Sequence, residues 1–104
     1  MKKKDAEKWV NALRGGKYKQ GRDWLHSFYD NSFCCLGVLD EIFPELDLSG
    51  GHSGVLYNYS EIGFNSENGK IGDTSLDSLN DSGNFTFDEI ADIIQAEYIL
   101  KVVE

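Results

Sequence analysis

Two adjacent cysteines, Cys34 and Cys35, are the only thiols of the chain and the first place where chemistry is conceivable. Neighbouring cysteines rarely form a disulfide with each other, because the small ring distorts the peptide bond. A zinc site needs four ligands, and the sequence adds only His26 and His52, at no familiar spacing. Either histidine would serve as the base for a nucleophilic thiol, but no local signature supports one. The residue types therefore favour packing in a core over a metal site, a catalytic thiol or an exposed thiol at a binding surface.

A basic, glycine-rich segment at 15–22, GGKYKQGR, is the second candidate. Lysine side chains and glycine amides bind phosphates, and aromatic rings stack on bases. The segment lacks the glycine-lysine-serine/threonine end of a phosphate-binding loop, so a solvated basic connector is the favoured alternative. If the segment binds a ligand, the candidate residues are Lys17, Tyr18, Lys19, Gln20, Arg22 and Trp24.

A third candidate is the polar pair Asn80 and Asp81 in the segment LNDSG at 79–83. Both side chains have the chemistry to contact a ligand, and we include them among the tentative ligand-binding residues. Asn, Asp and Gly are also the residues that end helices, so a structural role is the favoured alternative.

The charge of the chain is unevenly distributed over its 104 residues. Residues 1–22 carry eight lysines and arginines against two acidic residues, whereas 23–104 carry two lysines and sixteen acidic residues, and the net charge is −8. A strongly acidic surface repels nucleic acid and attracts basic protein surfaces. The length indicates a single domain. The basic N-terminus is not followed by an apolar signal region, and no apolar run is long enough for a membrane span, so we expect a cytoplasmic protein without cofactors.

The elements that would position these residues follow from hydrophobic spacing. A helix is predicted over 4–14, ending at two glycines, and another over 31–43, with Asn31 or Ser32 as its N-cap and Pro44 after its end. Gly37 within that second helix would permit the close approach of another backbone. Between these helices, Trp24, Leu25 and Phe28 are predicted to form a buried turn or short strand.

The second half of the chain is predicted to contain a hairpin and two helices. Residues 55–64 alternate as a strand does, and Asn68-Gly69 is the strongest hairpin signal, so we expect a hairpin over 55–72. A short helix is predicted over 73–81 and a longer one over 86–100, which begins with a capping box of Thr86 and Glu89. The fold class is therefore α+β, with three to four helices packed on a small antiparallel sheet.

Three segments read together resemble a family of small uncharacterised proteins of bacteriophages and prophages. They are ALRGGKYKQG at 12–21, FCCLGVLDEIF at 33–43 and LNDSGNFTFDEIADII at 79–94, in the order and rough spacing typical of that family. Many members carry a third cysteine where this chain has Asp40, and its absence weakens a metal hypothesis. The resemblance implies a phage setting and names no reaction.

Three functions follow as expectations. The first is a non-enzymatic, stoichiometric inhibitor of a host immune component, which is a counter-defence role directed at a host protein such as a nucleic-acid-binding factor. The second is a binder of a small nucleotide signal, in which Lys17, Lys19 and Arg22 pair with phosphates and Tyr18 or Trp24 stacks. The third is an enzyme that uses a cysteine thiol, for which the sequence shows neither base nor oxyanion site. A homodimer is left open.

Overall fold

The computed structural model describes residues 1–49 and 55–101. Four α-helices account for most of the regular structure in these ranges: α1 at Lys3–Arg14, α2 at Cys35–Ile42, α3 at Leu76–Asp81 and α4 at Phe87–Gln95. Short 3₁₀ helices lie at Pro44–Leu46 and Tyr59–Ile62, and α4 continues into a π-helical turn at Ala96–Leu100. The predicted α+β class is confirmed. None of the helices described is long and apolar enough to cross a membrane.

Two small sheets complete the fold. Strands β1 (Lys19–Gln20), β2 (His26–Ser27) and β3 (Ser32–Phe33) form one sheet in the order β1-β3-β2. β3 runs parallel to β1 and antiparallel to β2, so this sheet is mixed rather than purely antiparallel. Strands β4 (Lys70–Ile71) and β5 (Thr74–Ser75) pair antiparallel in the second sheet.

The core forms where the apolar faces of the helices meet. The predicted faces of the first and last helices are buried, including Trp9 and Leu13 of α1 and Ile90 and Ile94 of α4. Thr86 caps α4 as predicted, because its side chain accepts from the Glu89 amide while the Glu89 carboxylate accepts from the Thr86 amide. Capping satisfies amide groups that a helix start leaves without partners, so α4 begins where local sequence directs it.

The second helix begins later than predicted. Ser32 and Phe33 belong to strand β3, Cys34 is the N-cap, and α2 runs from Cys35 to Ile42. The predicted N-cap Asn31 instead has a left-handed backbone conformation, with φ of 54°. The reason is that Ser32 and Phe33 pair with strands on both sides, and this pairing outweighs the local capping preference.

The hairpin predicted over 55–72 is wrong. Residues 59–62 form a 3₁₀ helix, and the Leu56 amide makes one hydrogen bond to the Glu67 carbonyl, at 2.8 Å, without a strand ladder. The Asn58 side-chain amide donates to the Leu46 and Asp47 carbonyls, which turns the chain away from an extended course. The two-residue turn that does join paired strands is Gly72-Asp73, one step after the predicted Asn68-Gly69.

The burial predicted for the segment after β1 is also wrong in part. Leu25 is buried, but Trp24 is 52% exposed and Phe28 is 86% exposed. Strand β2 has only two residues, so the chain turns outward on both sides of it and takes these two rings out of the core.

Candidate functional site

Two of the predicted ligand-binding residues, Gln20 and Asn80, form a hydrogen-bonded pair that we call the amide hub. Gln20 Nε2 donates to Asn80 Oδ1 at 3.1 Å and to the Phe85 carbonyl at 2.9 Å, and Gln20 Oε1 accepts from the Phe87 amide at 3.0 Å. Asn80 Oδ1 also accepts from the Cys35 amide at 3.1 Å. Because Cys35 and Phe87 are the first residues of α2 and α4, the hub satisfies one orphan amide at the start of each helix.

The remaining atoms of the hub are also engaged. Asn80 Nδ2 donates to the Gly21 carbonyl at 2.7 Å and to Asp81 Oδ1 at 3.2 Å. Asp81 Oδ1 in turn accepts from the Asp23 amide at 2.9 Å. Asn80 is buried with its hydrogen-bonding capacity filled, so its role is structural. This hub joins β1, α2, α3 and α4 and fixes the chain on both sides of Arg22.

The basic residues of the predicted site are dispersed. Lys17 Nζ lies over the Tyr18 ring, 5.4 Å from its centroid, and the Tyr18 ring packs edge-on against Phe33 at 5.2 Å. Lys19 forms an ion pair of 3.6 Å with Asp30. A hydrogen bond from the Ser32 hydroxyl, with help from Lys19, lowers the pKa of Asp30 and keeps it charged. Lys19 is therefore neutralised locally, whereas Arg22 has no such partner among the described residues.

Three aromatic side chains protrude from residues 22–31, a segment that we call the aromatic loop. Tyr29 is fully exposed, Phe28 is 86% exposed and Trp24 is 52% exposed. Sequence reasoning placed Trp24 among the ligand-binding candidates and missed Phe28 and Tyr29. The Asp30-Asn31 pair that follows them is a turn signal, and it was the available indication that these rings leave the core.

The aromatic loop is held on a rigid base. The His26 ring stacks on Phe33 with centroids 4.1 Å apart and planes 8° from parallel, and its Nε2 lies 2.8 Å from Asn31 Oδ1. The buried Leu25 gives its carbonyl to the Cys34 amide, at 3.3 Å. Asp23 and Asn31, near its two ends, have left-handed φ values of 71° and 54°. The exposed rings are thus displayed on a backbone whose conformation is fixed.

Both cysteines are buried in the core. Cys35 Sγ donates to the Leu76 carbonyl at 3.5 Å, and the Cys35 carbonyl accepts from Trp9 Nε1 at 2.9 Å, so this residue connects α1, α2 and α3. Burial raises the pKa of Cys34 to about 11 and also raises the pKa of Cys35. The described residues contain no group of three or more His, Cys, Asp or Glu side chains that could hold a metal ion. A protonated, enclosed thiol is a poor nucleophile, so the geometry gives catalysis by these cysteines no support.

Neither thiol is expected to react with DTNB in the folded protein at neutral pH, and both should react once the chain is unfolded in urea. The folded state keeps a Cys34 proton that the unfolded chain releases, because the folded pKa of Cys34 is raised. The free energy of unfolding should therefore decrease as the pH rises from the ordinary thiol range towards about 11. Rapid stoichiometric modification of the native protein would contradict this description of the pair.

Residues 1–47 match a domain of unknown function, DUF8296. The matched part runs from α1 through the mixed sheet and α2 to the first 3₁₀ helix, and it contains the aromatic loop and both cysteines. Among curated proteins and solved structures, none matches the chain significantly. The functional argument therefore rests on the geometry of the chain itself.

Proposed function

We propose that this protein is non-enzymatic and acts by binding another protein stoichiometrically through its aromatic loop. The observation that carries the proposal is the exposure of Trp24, Phe28 and Tyr29 within six residues. A contiguous exposed apolar patch is a common mark of a protein interaction site. Tryptophan, tyrosine and arginine are the residues most enriched at interface hot spots, and Arg22, Trp24 and Tyr29 supply all three.

The fixed backbone of the aromatic loop favours the same proposal. Binding costs conformational entropy when a loop must become ordered, and a loop that is already ordered avoids much of that cost. Here the stacked His26, the buried Leu25 and the two left-handed residues set the loop before any partner arrives. Display of large rings on a preset backbone is the arrangement that a stoichiometric inhibitor requires.

The net charge of −8 indicates the kind of partner. A strongly acidic protein associates fastest with a basic one, because long-range attraction steers the encounter. The bacteriophage family that the sequence resembles supplies the setting: a counter-defence factor that occupies a basic host protein, such as a nucleic-acid-binding component of immunity. We propose that the aromatic loop makes the short-range contacts and the acidic surface accelerates the approach.

A small nucleotide signal is the alternative ligand, and the arrangement of the basic segment gives it less support. Gln20 and Asn80 are filled by internal hydrogen bonds, and Lys19 is paired with Asp30. The pocket beside Arg22 has a volume of about 220 Å³. Pockets that enclose drug-sized ligands usually measure about 300–1,000 Å³. Arg22 and Trp24 remain available to a ligand, but the predicted multi-lysine phosphate clamp does not assemble.

Replacement of the three exposed rings tests the proposal. The variant with Trp24→Ala, Phe28→Ala and Tyr29→Ala should capture none of the protein partner that the unchanged chain captures from a phage-susceptible bacterial lysate. With the purified partner, its dissociation constant by calorimetry should rise by at least about 100-fold, because hot-spot truncations cost about 2 kcal/mol or more each. Its thermal unfolding should stay close to that of the unchanged protein, since the removed rings contact little of the core.

Tyr57→Ala is the matched control, because Tyr57 is 65% exposed and lies outside the aromatic loop. It should bind the partner as the unchanged chain does. The association rate of the unchanged chain should also fall steeply with added salt, owing to screening of the acidic surface. Equal binding by the triple variant and the Tyr57→Ala control would refute the role of the aromatic loop.

A further inference from the structure

The guanidinium group of Arg22 lies against the backbone of Gly83. A Cβ atom built on Gly83 would come within 2.7 Å of Arg22 Cζ, so a side chain at this position would displace the group. Gly83 also has a left-handed φ of 78°, which glycine adopts at little cost. The absence of a side chain at Gly83 therefore makes room for the flat face of the guanidinium.

Arg22 offers donors that the protein itself does not use. In the ranges 1–49 and 55–101, no carbonyl, carboxylate or amide oxygen accepts a hydrogen bond from its guanidinium, although the chain has 18 acidic residues. Arg14 shows the contrast, since it donates to the side chains of Asp92 and Gln95. Arginine carries five N–H donors in a planar fork that matches carboxylate and phosphate oxygens.

The carboxylates on the segments around Arg22 are occupied elsewhere. Asp81 accepts from the Asp23 amide and from Asn80 Nδ2. Glu89 accepts from the Thr86 amide and hydroxyl in the capping box. Neither forms an ion pair with Arg22. These two negative charges reduce the local positive potential, so the arginine fork must bind a ligand by direct hydrogen bonds rather than by long-range attraction.

The pocket beside Arg22 has a lining without carboxylates. Its charged side chain is Arg22, and the rest of the lining is formed by Gln20, Gly21, Asn80, Gly83, Asn84, Phe85 and Thr86. A larger cleft of about 510 Å³ beside the N-terminus, in contrast, is lined by Asp5, Glu45 and Glu61 as well as Lys2. The volume of about 220 Å³ is several times the roughly 30 Å³ of one water in the liquid. That space suits a single small anion.

We propose that Arg22 and the pocket bounded by Gly83 bind one oxyanion group, a phosphate monoester or a carboxylate. The guanidinium would donate two parallel hydrogen bonds to it, and the Gly83 amide, which has no acceptor among the described residues, is a further donor at the same place. This inference stands apart from the proposed function, because it concerns a pocket and an anion rather than the exposed rings. Since Arg22 opens the aromatic loop, an anionic group held there would lie next to the proposed protein interface.

Titration of the ¹⁵N-labelled protein with inorganic phosphate, and separately with acetate, tests the site by NMR at constant ionic strength. We expect a saturable shift of the Gly83 amide and of Arg22 Nε–H. Arg22→Lys keeps the charge but loses the fork, and the dissociation constant should rise about tenfold. Lys4→Gln removes a positive charge from an exposed position outside the pocket and should leave the dissociation constant unchanged.

The two probes separate the sources of the anion. Saturation by phosphate alone assigns the site to phosphate monoesters, whereas saturation by both assigns it to oxyanions in general, including a carboxylate of a protein partner. Shifts that do not saturate would overturn the proposal. Equal affinity of Arg22→Lys and the unchanged chain would also overturn it, as would weakening of phosphate binding by Lys4→Gln.

Discussion

Replacing Gly37 with alanine is expected to lower the free energy of unfolding by at least about 3 kcal/mol. A Cβ atom at Gly37 would overlap the carbonyl oxygen of Leu25 and lie 2.5 Å from its carbonyl carbon. The neighbour is backbone rather than a flexible side-chain tip, so α2 and the loop must separate to admit a methyl group. Urea unfolding followed by tryptophan fluorescence measures the effect, because Trp9 is buried in the same core.

Gly16→Ala is the control for the Gly37 experiment. Gly16 has a left-handed φ of 77° and open space where a Cβ would lie. Its replacement should cost about 1–2 kcal/mol, from backbone strain alone. If the two variants unfolded at the same urea concentration, the close contact of α2 with the Leu25 backbone would not be important for stability.

The Gly37 contact also matters for the proposed binding surface. Leu25 precedes β2 within the aromatic loop, and its carbonyl accepts from the Cys34 amide directly before α2. The sequence predicted that Gly37 would permit the close approach of another backbone, and this is confirmed. The identity of that backbone could not be predicted, because the contact depends on how β2 and β3 pair.

The second large effect is expected from Asn80→Ala, which should lower the free energy of unfolding by about 3 kcal/mol. The change removes acceptors and donors for the Cys35 amide, the Gly21 carbonyl and Gln20 in a buried place. Each buried polar group left without a partner costs about 1–3 kcal/mol. The N-cap of α2 is Cys34, whose side chain makes no capping hydrogen bond, so Asn80 supplies the cap from 45 residues away.

Asn84→Ala is the matched control for Asn80→Ala. The Asn84 side chain is exposed, and the hydrogen bond given for this residue, to the Ser82 hydroxyl, comes from its backbone amide. Its replacement should change the free energy of unfolding by less than about 0.5 kcal/mol. Hydrogen exchange adds a local readout, since the Cys35 amide should exchange faster in Asn80→Ala. Unfolding of the two variants at the same urea concentration would contradict the capping role of Asn80.

Local signals in the sequence were sufficient for the helices. The stripe of Trp9 and Leu13 predicted α1, and Thr86 with Glu89 predicted the start of α4. Each of these signals lies within one or two turns of the chain. The physical interactions that decide such elements are themselves local, so they can be recognised without knowledge of the fold.

The hairpin shows where local signals fail. Gly69 has a left-handed φ of 65°, as the Asn68-Gly69 signal predicted, but it is buried against Leu36 and Leu76. The Asn68 and Gly69 carbonyls accept from the amides of Asp77 and Leu76, which are in α3. Tertiary contacts therefore use this turn to anchor α3, and the strands pair across Gly72-Asp73 instead.

The candidate site divides in the same way. Gln20 and Asn80 attracted attention as polar residues with possible ligands, but their partners lie about 60 residues apart in the sequence, and only the fold shows that they bind each other. Trp24 and Phe28 were assigned to the core, because large apolar residues are usually buried. Their exposure is the departure from that rule on which the proposed function depends.

Site-specific photocrosslinking in living bacteria tests the central claim most directly. A photoreactive phenylalanine analogue takes the place of Phe28 in one variant and of Tyr57 in a second, and both are irradiated in a phage-susceptible host. The proposed function predicts a single covalent adduct with one host protein at position 28 and none at position 57. Absence of an adduct at position 28, or the same adducts at both positions, would contradict binding of a protein partner through the aromatic loop.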